Sequence, residues 1–277
     1  MDEMFKNLKQ LPNGIYSYDF NMVADQKDEI LLRKQVAENS VNYWQEITAS
    51  HSIPVMDREV ELFLAKIPLN GRILDVGGGY GWHWRNLPTL RPDIRVVILD
   101  FSKEMLAHAL VILEDNLDSI YLVEGDAKDL IFDDASFDGY WSVQALQHIP
   151  DFERVIDEAY RSLKQGGIFA NYSLNNQSVV KTIYRMLGKK YRDEAGYSDR
   201  FYLARASNKQ FGYVQKVFGD DASKRFSEVI FEPGLKFTSP GKEGSLIGKL
   251  DSLLSAEHRM FQSIARQQSF HAVKLDS

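Results

Sequence analysis

The chain has 277 residues, of which 44% are apolar and 26% are charged. These are ordinary values for a globular protein, and they exclude collagen-like and wholly disordered chains. The length fits one large domain or one domain with additions, and the net charge of −6 argues against a surface that binds nucleic acid throughout. Cysteine is absent, which excludes disulfides, thiolate zinc sites and cysteine nucleophiles.

The sequence has no run of about 18 apolar residues, and residues 1–10 carry acidic and basic side chains by turns, so we expect neither a membrane-spanning helix nor a signal peptide. We therefore expect a cytoplasmic protein. No spacing of side chains typical of a metal site is evident either, so no metal is predicted.

Residues 1–70 are predicted to form a polar, helical N-terminal cap or lid. The clearest element in this region runs from Pro54 to Ile67, where apolar side chains recur at helical spacing. Pro54 suits the first position of a helix, and Pro68 with Gly71 marks its end.

From residue 71 to residue 277 the pattern changes to alternating strands and helices, which indicates a second domain. Continuous apolar strands separated by amphipathic helices predict an α/β fold with a doubly wound, mostly parallel sheet. A helical insertion is predicted at about 176–206, after the fifth of these strands. The predicted strands are Ile73–Val76, Val96–Leu99, Ile120–Val123, Phe137–Val143, Ile168–Tyr172, Arg225–Phe231 and Phe270–Leu275, and the later predicted helices are Asn208–Val217 and Ser245–Ile264.

The most informative stretch is the glycine-rich loop at residues 75–81, Asp-Val-Gly-Gly-Gly-Tyr-Gly, which follows the first predicted strand. Glycines allow positive φ angles and let a ligand lie against bare backbone. A dinucleotide site needs Gly-x-Gly-x-x-Gly, and Trp82 stands where that pattern needs its last glycine. The carboxylate of Asp75 would repel a diphosphate, whereas it suits a ligand that carries an ammonium group. The loop therefore favours a zwitterionic, cationic cofactor, and a plain strand-to-helix turn is the alternative.

Two further aspartates follow the next two predicted strands. Asp100 is placed to accept hydrogen bonds from both ribose hydroxyls, and Asp126 is placed to accept one from the amine of adenine. Each aspartate alone could equally be a helix cap or a solvated turn. Three aspartates at the carboxyl ends of three successive strands are more specific, because that edge of a parallel sheet is the usual ligand edge.

These motifs resemble those of the class I, Rossmann-like, seven-stranded S-adenosylmethionine-dependent methyltransferases. The resemblance covers roughly residues 72–173 and is specific for cofactor and fold, but not for the methyl acceptor. Residues 75–81 are similar to the family's Asp-x-Gly-x-Gly-x-Gly motif, 100–109 to Asp-x-Ser-x-x-Met-Leu-x-x-Ala, 125–127 to the adenine-binding turn, 137–149 to the fourth strand and its loop, and 163–167 to Leu-Lys-Pro-Gly-Gly with Gln165 in place of proline.

The resemblance implies an antiparallel last strand and S-adenosyl-L-methionine as cofactor, with S-adenosyl-L-homocysteine as product. It also implies a set of cofactor-binding residues. Those assigned to the methionine portion are Asp75, Gly77, Gly78, Gly79 and Gly81; those assigned to ribose and adenine are Asp100, Phe101, Met105, Asp126 and Ala127; and those assigned near the sulfonium are Ser142, Val143 and Gln144.

Transfer of a methyl group to an oxygen or nitrogen of a small molecule needs a base only if that acceptor atom must lose a proton. His148 is the predicted catalytic base, because it lies in the loop after the fourth strand and histidine titrates near neutrality. The alternative for His148 is a brace of that loop. His83 is predicted to pack or to cap a helix.

The predicted acceptor pocket lies in the N-terminal cap and the insertion. Between Lys181 and Lys216, nine basic residues face three acidic ones. This excess predicts an anionic acceptor, such as a metabolite, a sugar nucleotide or a carrier-bound biosynthetic intermediate, and a solvated helical face is the alternative. Nucleic acid and membrane partners are not expected, and the chain is predicted to be a monomer or a homodimer.

Two other functions remain open at this point. A non-catalytic protein that binds S-adenosylmethionine or S-adenosylhomocysteine would carry the same motifs, because all of them serve binding. A nicotinamide-dependent oxidoreductase is disfavoured by Asp75 and Trp82.

Overall fold

The computed structural model describes residues 6–20, 47, 51–149, 151–175, 182–183, 186–188, 207–229 and 246–275. Within these residues, nine strands form one sheet in the order β1-β2-β5-β4-β3-β6-β7-β9-β8. The strands are β1 (Lys9–Gln10), β2 (Tyr16–Ser17), β3 (Arg72–Val76), β4 (Arg95–Asp100), β5 (Ile120–Glu124), β6 (Phe137–Val143), β7 (Leu163–Leu174), β8 (Ser223–Ser227) and β9 (Gln267–Val273).

Six α-helices and four 3₁₀ turns connect the strands of the described residues. The helices are α1 (Ile53–Leu64), α2 (Leu87–Leu90), α3 (Lys103–Ile112), α4 (Phe152–Ser162), α5 (Ser207–Phe218) and α6 (Leu246–Leu253). The 3₁₀ turns are Trp82–Trp84, Glu114–Asn116, Leu146–His148 and Arg259–Ser263. None of the helices in the described part of the chain is long and apolar enough to cross a membrane.

Seven of the strands, in the order β5-β4-β3-β6-β7-β9-β8, form the predicted α/β sheet. The neighbouring pairs from β5 to β7 are parallel, and β9 lies between β7 and β8 and is antiparallel to both. The prediction of an antiparallel last strand is therefore confirmed. Because β3 lies between β4 and β6, the strand order reverses there, and the carboxyl edge of the sheet at such a switch point is where ligands usually bind.

The helical character predicted for residues 1–70 is wrong for residues 6–20 and correct for α1. Residues 6–20 form β1 and β2, which extend the sheet to nine strands beyond the edge of β5. The backbone N–H of Leu11 donates to the carbonyl oxygen of Ile15, closing a turn around Gly14 at φ +89°. The completely buried side chain of Ile15 fixes this hairpin against the core.

The two faces of the sheet carry separate apolar cores. Side chains of α1, α3 and the turn Trp82–Trp84 fill one core, and side chains of α4 and α5 fill the other. Strands covered on both faces explain why their sequences are continuously apolar rather than alternating.

The helix predicted over Ser245–Ile264 is interrupted. Helix α6 ends at Leu253, and the backbone of Ala256 then exchanges two hydrogen bonds with Phe226 on β8. A residue that pairs with a strand cannot continue an α-helix, so helical structure resumes only as the 3₁₀ turn Arg259–Ser263. Most of the insertion predicted at 176–206 lies outside the described residues; Thr182, Ile183 and Met186 are helical.

Candidate functional site

The glycine-rich loop leaves β3 at the carboxyl edge of the sheet. Gly77 has a φ of +70°, and a Cβ at this position would overlap the Cβ of Ala145 in the loop after β6. A Cβ at Gly78 would overlap the carboxylate of Asp75. Glycine is therefore required at both positions, the first for its φ angle and for space and the second for space alone.

Asp75 lies beneath this loop with only 1% of its surface exposed. Its Oδ2 accepts a hydrogen bond of 2.7 Å from the indole Nε1 of Trp84, whereas its Oδ1 has no hydrogen-bond partner among the described residues. Burial raises the pKa of Asp75 from 3.8 to about 7; the Trp84 hydrogen bond opposes the shift, and the charge of Asp100 adds to it. A carboxylate in this state gains a large electrostatic stabilisation when a cation comes into contact with it.

Two other buried side chains beside Asp75 also have polar atoms without hydrogen-bond partners in the described structure. Trp141 on β6 is the register neighbour of Asp75 on β3, and its Nε1 is unpaired. Both ring nitrogens of His83 are unpaired, and its ring lies 5.9 Å from that of Trp141 between centroids. Buried polar atoms rarely lack partners, because each one costs about 1–3 kcal/mol. Asp75, Trp141 and His83 together therefore present two acceptors and two N–H donors that are unpaired in the described part of the chain, because a neutral imidazole has one of each.

His83 is neutral in this setting. Burial lowers its pKa to about 3, and the positive charge of Arg85 contributes in the same direction. Its ring stacks on that of Trp82 at a centroid distance of 4.0 Å. Of the two predicted roles for His83, packing is the one observed, because its ring nitrogens cap no helix. A neutral imidazole offers one N–H donor and one acceptor.

Asp100 ties the glycine loop to the beginning of α3. Its Oδ2 accepts a hydrogen bond of 2.9 Å from the backbone N–H of Gly79, and its Oδ1 accepts one of 2.9 Å from that of Ser102. Phe101 and Met105 are half-buried and lie next to this junction. A carboxylate oxygen can accept more than one hydrogen bond, so Asp100 can support the loop and still accept hydrogen bonds from a ribose.

Asp126 and Ala127 follow β5 and are both buried. Oδ1 of Asp126 accepts a hydrogen bond of 2.9 Å from the backbone N–H of Lys128, and its Oδ2 lies 3.7 Å from the Nζ of Lys128. The same ammonium lies 3.7 Å from Oδ2 of Asp151, the residue before α4. The carboxylate of Asp126 is thus held in one orientation at the carboxyl edge.

The end of β6 supplies the last predicted contacts. Ser142 is completely buried, and its hydroxyl donates a hydrogen bond of 2.7 Å to the carbonyl oxygen of Val76, immediately before the glycine loop. Val143 is half-buried, and Gln144 is half-buried with a φ of +52°. Ser142 therefore links β3 to β6, while Val143 ends β6 and Gln144 follows it.

His148 lies in the 3₁₀ turn after β6 and is half-buried. Its Nε2 is 3.2 Å from Nε2 of Gln147, whose Oε1 accepts hydrogen bonds from the hydroxyl of Ser173 and the backbone N–H of Leu174. This chain of contacts connects the turn to the end of β7. The described residues contain no cluster of three or more His, Asp or Glu side chains that could hold a metal ion.

Most of the predicted site residues thus lie at the carboxyl ends of β3, β4, β5 and β6. Sequence reasoning did not identify Trp84 and Trp141 as partners of the Asp75 region, and it gave no role to Tyr18, which lies beside Asp126. No motif spacing connects these residues to the loop. The pairing of β3 with β6 brings Trp141 there, the pairing of β2 with β5 brings Tyr18, and the turn after the glycine loop brings Trp84.

Comparison with known families agrees with this geometry. Residues 74–171 match the family described as "Methyltransferase domain", a segment that begins in β3 and ends in β7 and so contains the glycine loop, Asp100 and Asp126. This segment is a methyltransferase domain. The prediction of the methyltransferase family and of its fold is confirmed.

Two relatives show how much of the chain is similar in sequence to known methyltransferases. The rice protein 2-methyl-6-phytyl-1,4-hydroquinone methyltransferase 2 is 37% identical over 97 residues, which are 35% of this chain and 27% of the relative. The demethylmenaquinone methyltransferase of Listeria monocytogenes is 28% identical over 181 residues, 65% of this chain and 68% of the relative. The chain therefore spans only about a quarter of the length of the rice relative.

A solved structure shows the same fold across most of the chain. The S-adenosylmethionine-dependent methyltransferase of Thermotoga maritima superposes with a TM-score of 0.59 at 15% sequence identity. The superposition covers 87% of this chain and 98% of that protein. The shared fold therefore extends well beyond the segment that matches in sequence.

Proposed function

We propose that the chain transfers the methyl group of S-adenosylmethionine to an oxygen or nitrogen of a small-molecule acceptor. The observation that carries this proposal is the unpaired Oδ1 of Asp75, buried beneath a loop in which glycine is required. A buried carboxylate with a pKa near 7 needs a cationic partner, and an ammonium group is the cation that S-adenosylmethionine presents at its aminoacyl end.

The neighbouring unpaired groups fit the rest of that aminoacyl end. Asp75 would hold the ammonium, and the N–H groups of Trp141 and His83 would donate to the carboxylate. Asp100 would accept from the ribose hydroxyls and Asp126 from the adenine amine. When bound, the cofactor supplies an electrophilic methyl group on its sulfonium, so the protein has to align the acceptor and exclude water rather than form a covalent bond.

A nicotinamide dinucleotide fits the same residues poorly. Its diphosphate would lie on the loop above the carboxylate of Asp75, where like charges repel. Trp82 fills the position of the third glycine and is itself buried against His83. These features support the methyltransferase over the oxidoreductase alternative.

For the acceptor, we propose a hydroxylated aromatic ring as the first class to test. Both relatives take their names from quinone or hydroquinone derivatives. Aromatic side chains also lie beside the loop: the half-buried ring of His51, just before α1, is 5.5 Å from that of Trp82. A planar ring can stack against such a surface. The basic residues predicted to bind an anionic acceptor lie mostly outside the described residues, so an anionic acceptor is the second class.

Turnover tests the proposal directly. The protein is incubated with S-adenosylmethionine and, separately, with a naphthohydroquinone, phosphoethanolamine, a sugar nucleotide or no acceptor, and S-adenosylhomocysteine is measured by mass spectrometry. We expect the hydroquinone to increase product formation well above the rate without acceptor. Tight binding of S-adenosylhomocysteine with no turnover on any acceptor would instead indicate a non-catalytic binding protein.

The role of His148 as a base remains a prediction, and His148→Asn tests it. If His148 accepts the proton of the acceptor, kcat should fall by about 10²–10⁴-fold, and the acid limb of the kcat profile against pH should disappear. The Kd of S-adenosylhomocysteine serves as the control and should stay within about twofold. An unchanged kcat and an unchanged pH profile would leave His148 as a brace that acts through Gln147.

A further inference from the structure

Strand β2 places an N-terminal side chain at the adenine end of the candidate site. It runs parallel to β5, with Tyr16 paired to Val123 and Ser17 to Glu124. Parallel strands leave the sheet at the same edge. The residue that follows β2, Tyr18, therefore lies beside the turn at residues 125–129 that follows β5.

The Tyr18 hydroxyl makes hydrogen bonds near both ends of this turn. It accepts a hydrogen bond of 3.1 Å from the backbone N–H of Asp126 and donates one of 2.9 Å to the carbonyl oxygen of Asp129. The Tyr18 ring lies so close to Gly125 that a Cβ on that glycine would overlap it. Ring and hydroxyl together hold the turn from outside the sheet.

The same turn orients the carboxylate that is assigned to adenine. The backbone N–H of Asp129 donates to the carbonyl oxygen of Asp126, and that of Lys128 donates to Oδ1 of Asp126. Burial raises the pKa of the Tyr18 hydroxyl above its ordinary value, so it remains a proton donor at physiological pH. A shift of the turn would move the backbone and the carboxylate of Asp126 together.

We propose that Tyr18 is a positioning residue of the cofactor site, whose hydroxyl fixes the turn at residues 125–129 and thereby sets the recognition of the adenine amine by Asp126. This inference rests on the proposed function, since adenine is assigned to Asp126 there. It gives the N-terminal segment a part in cofactor selectivity that lies outside the matched segment 74–171.

A purely structural role for Tyr18 makes a different prediction. In that case Tyr18 only ties the β1–β2 hairpin to the edge of the sheet, and its loss weakens all ligands of the site equally. Ser17 provides a matched control, because its hydroxyl donates a hydrogen bond of 3.1 Å to Oε2 of Glu124 and also joins β2 to β5. Ser17→Ala removes a bond between the same two strands without touching the turn.

The experiment compares two ligands by calorimetry. One is S-adenosylhomocysteine, and the other is S-inosylhomocysteine, in which an oxo group replaces the adenine amine. We expect the wild-type protein to prefer S-adenosylhomocysteine. Tyr18→Phe should raise the Kd of S-adenosylhomocysteine about tenfold and that of S-inosylhomocysteine less than about threefold. The preference for S-adenosylhomocysteine should therefore decrease. Ser17→Ala should leave both Kd values within about twofold.

The outcomes separate this inference from the proposed function. Failure of the wild-type protein to bind S-adenosylhomocysteine would overturn both. If Tyr18→Phe prefers S-adenosylhomocysteine as strongly as the wild-type protein does, only the role of Tyr18 is overturned. The same holds if Tyr18→Phe weakens the binding of both ligands equally. If Tyr18→Phe does not fold, Gly125→Ala is the second variant, because its Cβ would displace the Tyr18 ring. Gly125→Ala is expected to reduce the preference for S-adenosylhomocysteine over S-inosylhomocysteine. If that preference stays at the wild-type value, the inference is contradicted.

Discussion

Asp75→Asn is expected to weaken the binding of S-adenosylhomocysteine by at least about 30-fold. Removal of one partner from a buried, hydrogen-bonded charge pair costs about 2–5 kcal/mol, and 2 kcal/mol corresponds to about 30-fold in Kd. The asparagine Oδ1 can still accept the hydrogen bond from Trp84, so the loop should keep its shape. Calorimetric titration of both proteins at pH 8 measures the difference. A Kd within threefold of the wild-type value would mean that no ammonium group contacts Asp75.

The same substitution is expected to stabilise the protein when no ligand is present. The pKa of Asp75 is raised from 3.8 to about 7 in the folded state, so its ionised form destabilises the fold. This destabilisation grows as the pH rises from about 4 to about 7 and is complete above pH 7. Three pKa units correspond to about 4 kcal/mol, and the new amide N–H₂ needs a partner, so we expect a gain of about 1–3 kcal/mol. Urea unfolding at pH 8 and pH 4 measures it, and the gain should shrink at pH 4.

Ligand affinity should follow the same ionisation. An ammonium group stabilises the ionised form of Asp75, so binding below pH 7 first requires Asp75 to lose its proton. The Kd of the wild-type protein should therefore rise by up to about tenfold per pH unit below pH 7, while that of Asp75→Asn should vary little. A wild-type Kd that is flat between pH 5.5 and pH 8 would contradict an ionisable Asp75 at the ligand contact.

Arg266→Met is expected to lower the free energy of unfolding by about 3–5 kcal/mol, because it leaves the carboxylate of Glu228 buried without its cation. The guanidinium of Arg266 pairs with Oε2 of Glu228, and the exposed fractions of the two side chains are 2% and 0%. Oε1 of Glu228 accepts a hydrogen bond of 2.7 Å from the backbone N–H of Ser52, the residue before α1. The pair thus joins the end of β8 and the start of β9 to the beginning of α1.

The double variant Glu228→Gln/Arg266→Met removes both charges and should recover part of this loss, since the glutamine oxygen can still accept from Ser52. Arg154→Met is the exposed control. It removes the 3.7 Å ion pair with Asp129 and a bond to the carbonyl oxygen of Lys128, and should cost about 1 kcal/mol or less. Chemical denaturation measures all three variants. If Arg266→Met lowers the free energy of unfolding no more than Arg154→Met does, the buried pair does not hold α1 in place.

The features that sequence reasoning predicted correctly are those encoded over short distances. The apolar runs at Ile73–Val76 and Val96–Leu99 gave their strands, because residues buried on both faces of a sheet must be apolar. Asp75, Gly77 and Asp100 were placed at one edge because the carboxyl ends of parallel strands coincide. The hydroxyl of Ser102 accepts from the backbone N–H of Met105, so that helix cap could also be predicted from its residue type.

Features that depend on distant pairing were missed. Tyr18 reaches Asp126 across 108 residues, and it does so only because β2 joins the edge of β5. Strands of two residues carry no periodicity, so residues 6–20 were predicted to be helical. The pattern of Ser245–Ile264 allowed one helix, but the pairing of Ala256 with Phe226 interrupts it. In each case, hydrogen bonds between residues distant in sequence, rather than local sequence preference, determine the structure.

The proposed function requires that the glycine loop and Asp75 receive an aminoacyl group rather than a diphosphate. Calorimetric competition between S-adenosylhomocysteine and NADH on the wild-type protein at pH 8 tests it most directly. We predict one-to-one binding of S-adenosylhomocysteine that a hundredfold excess of NADH does not weaken. Tight binding of NADH together with no detectable heat from S-adenosylhomocysteine would contradict the account.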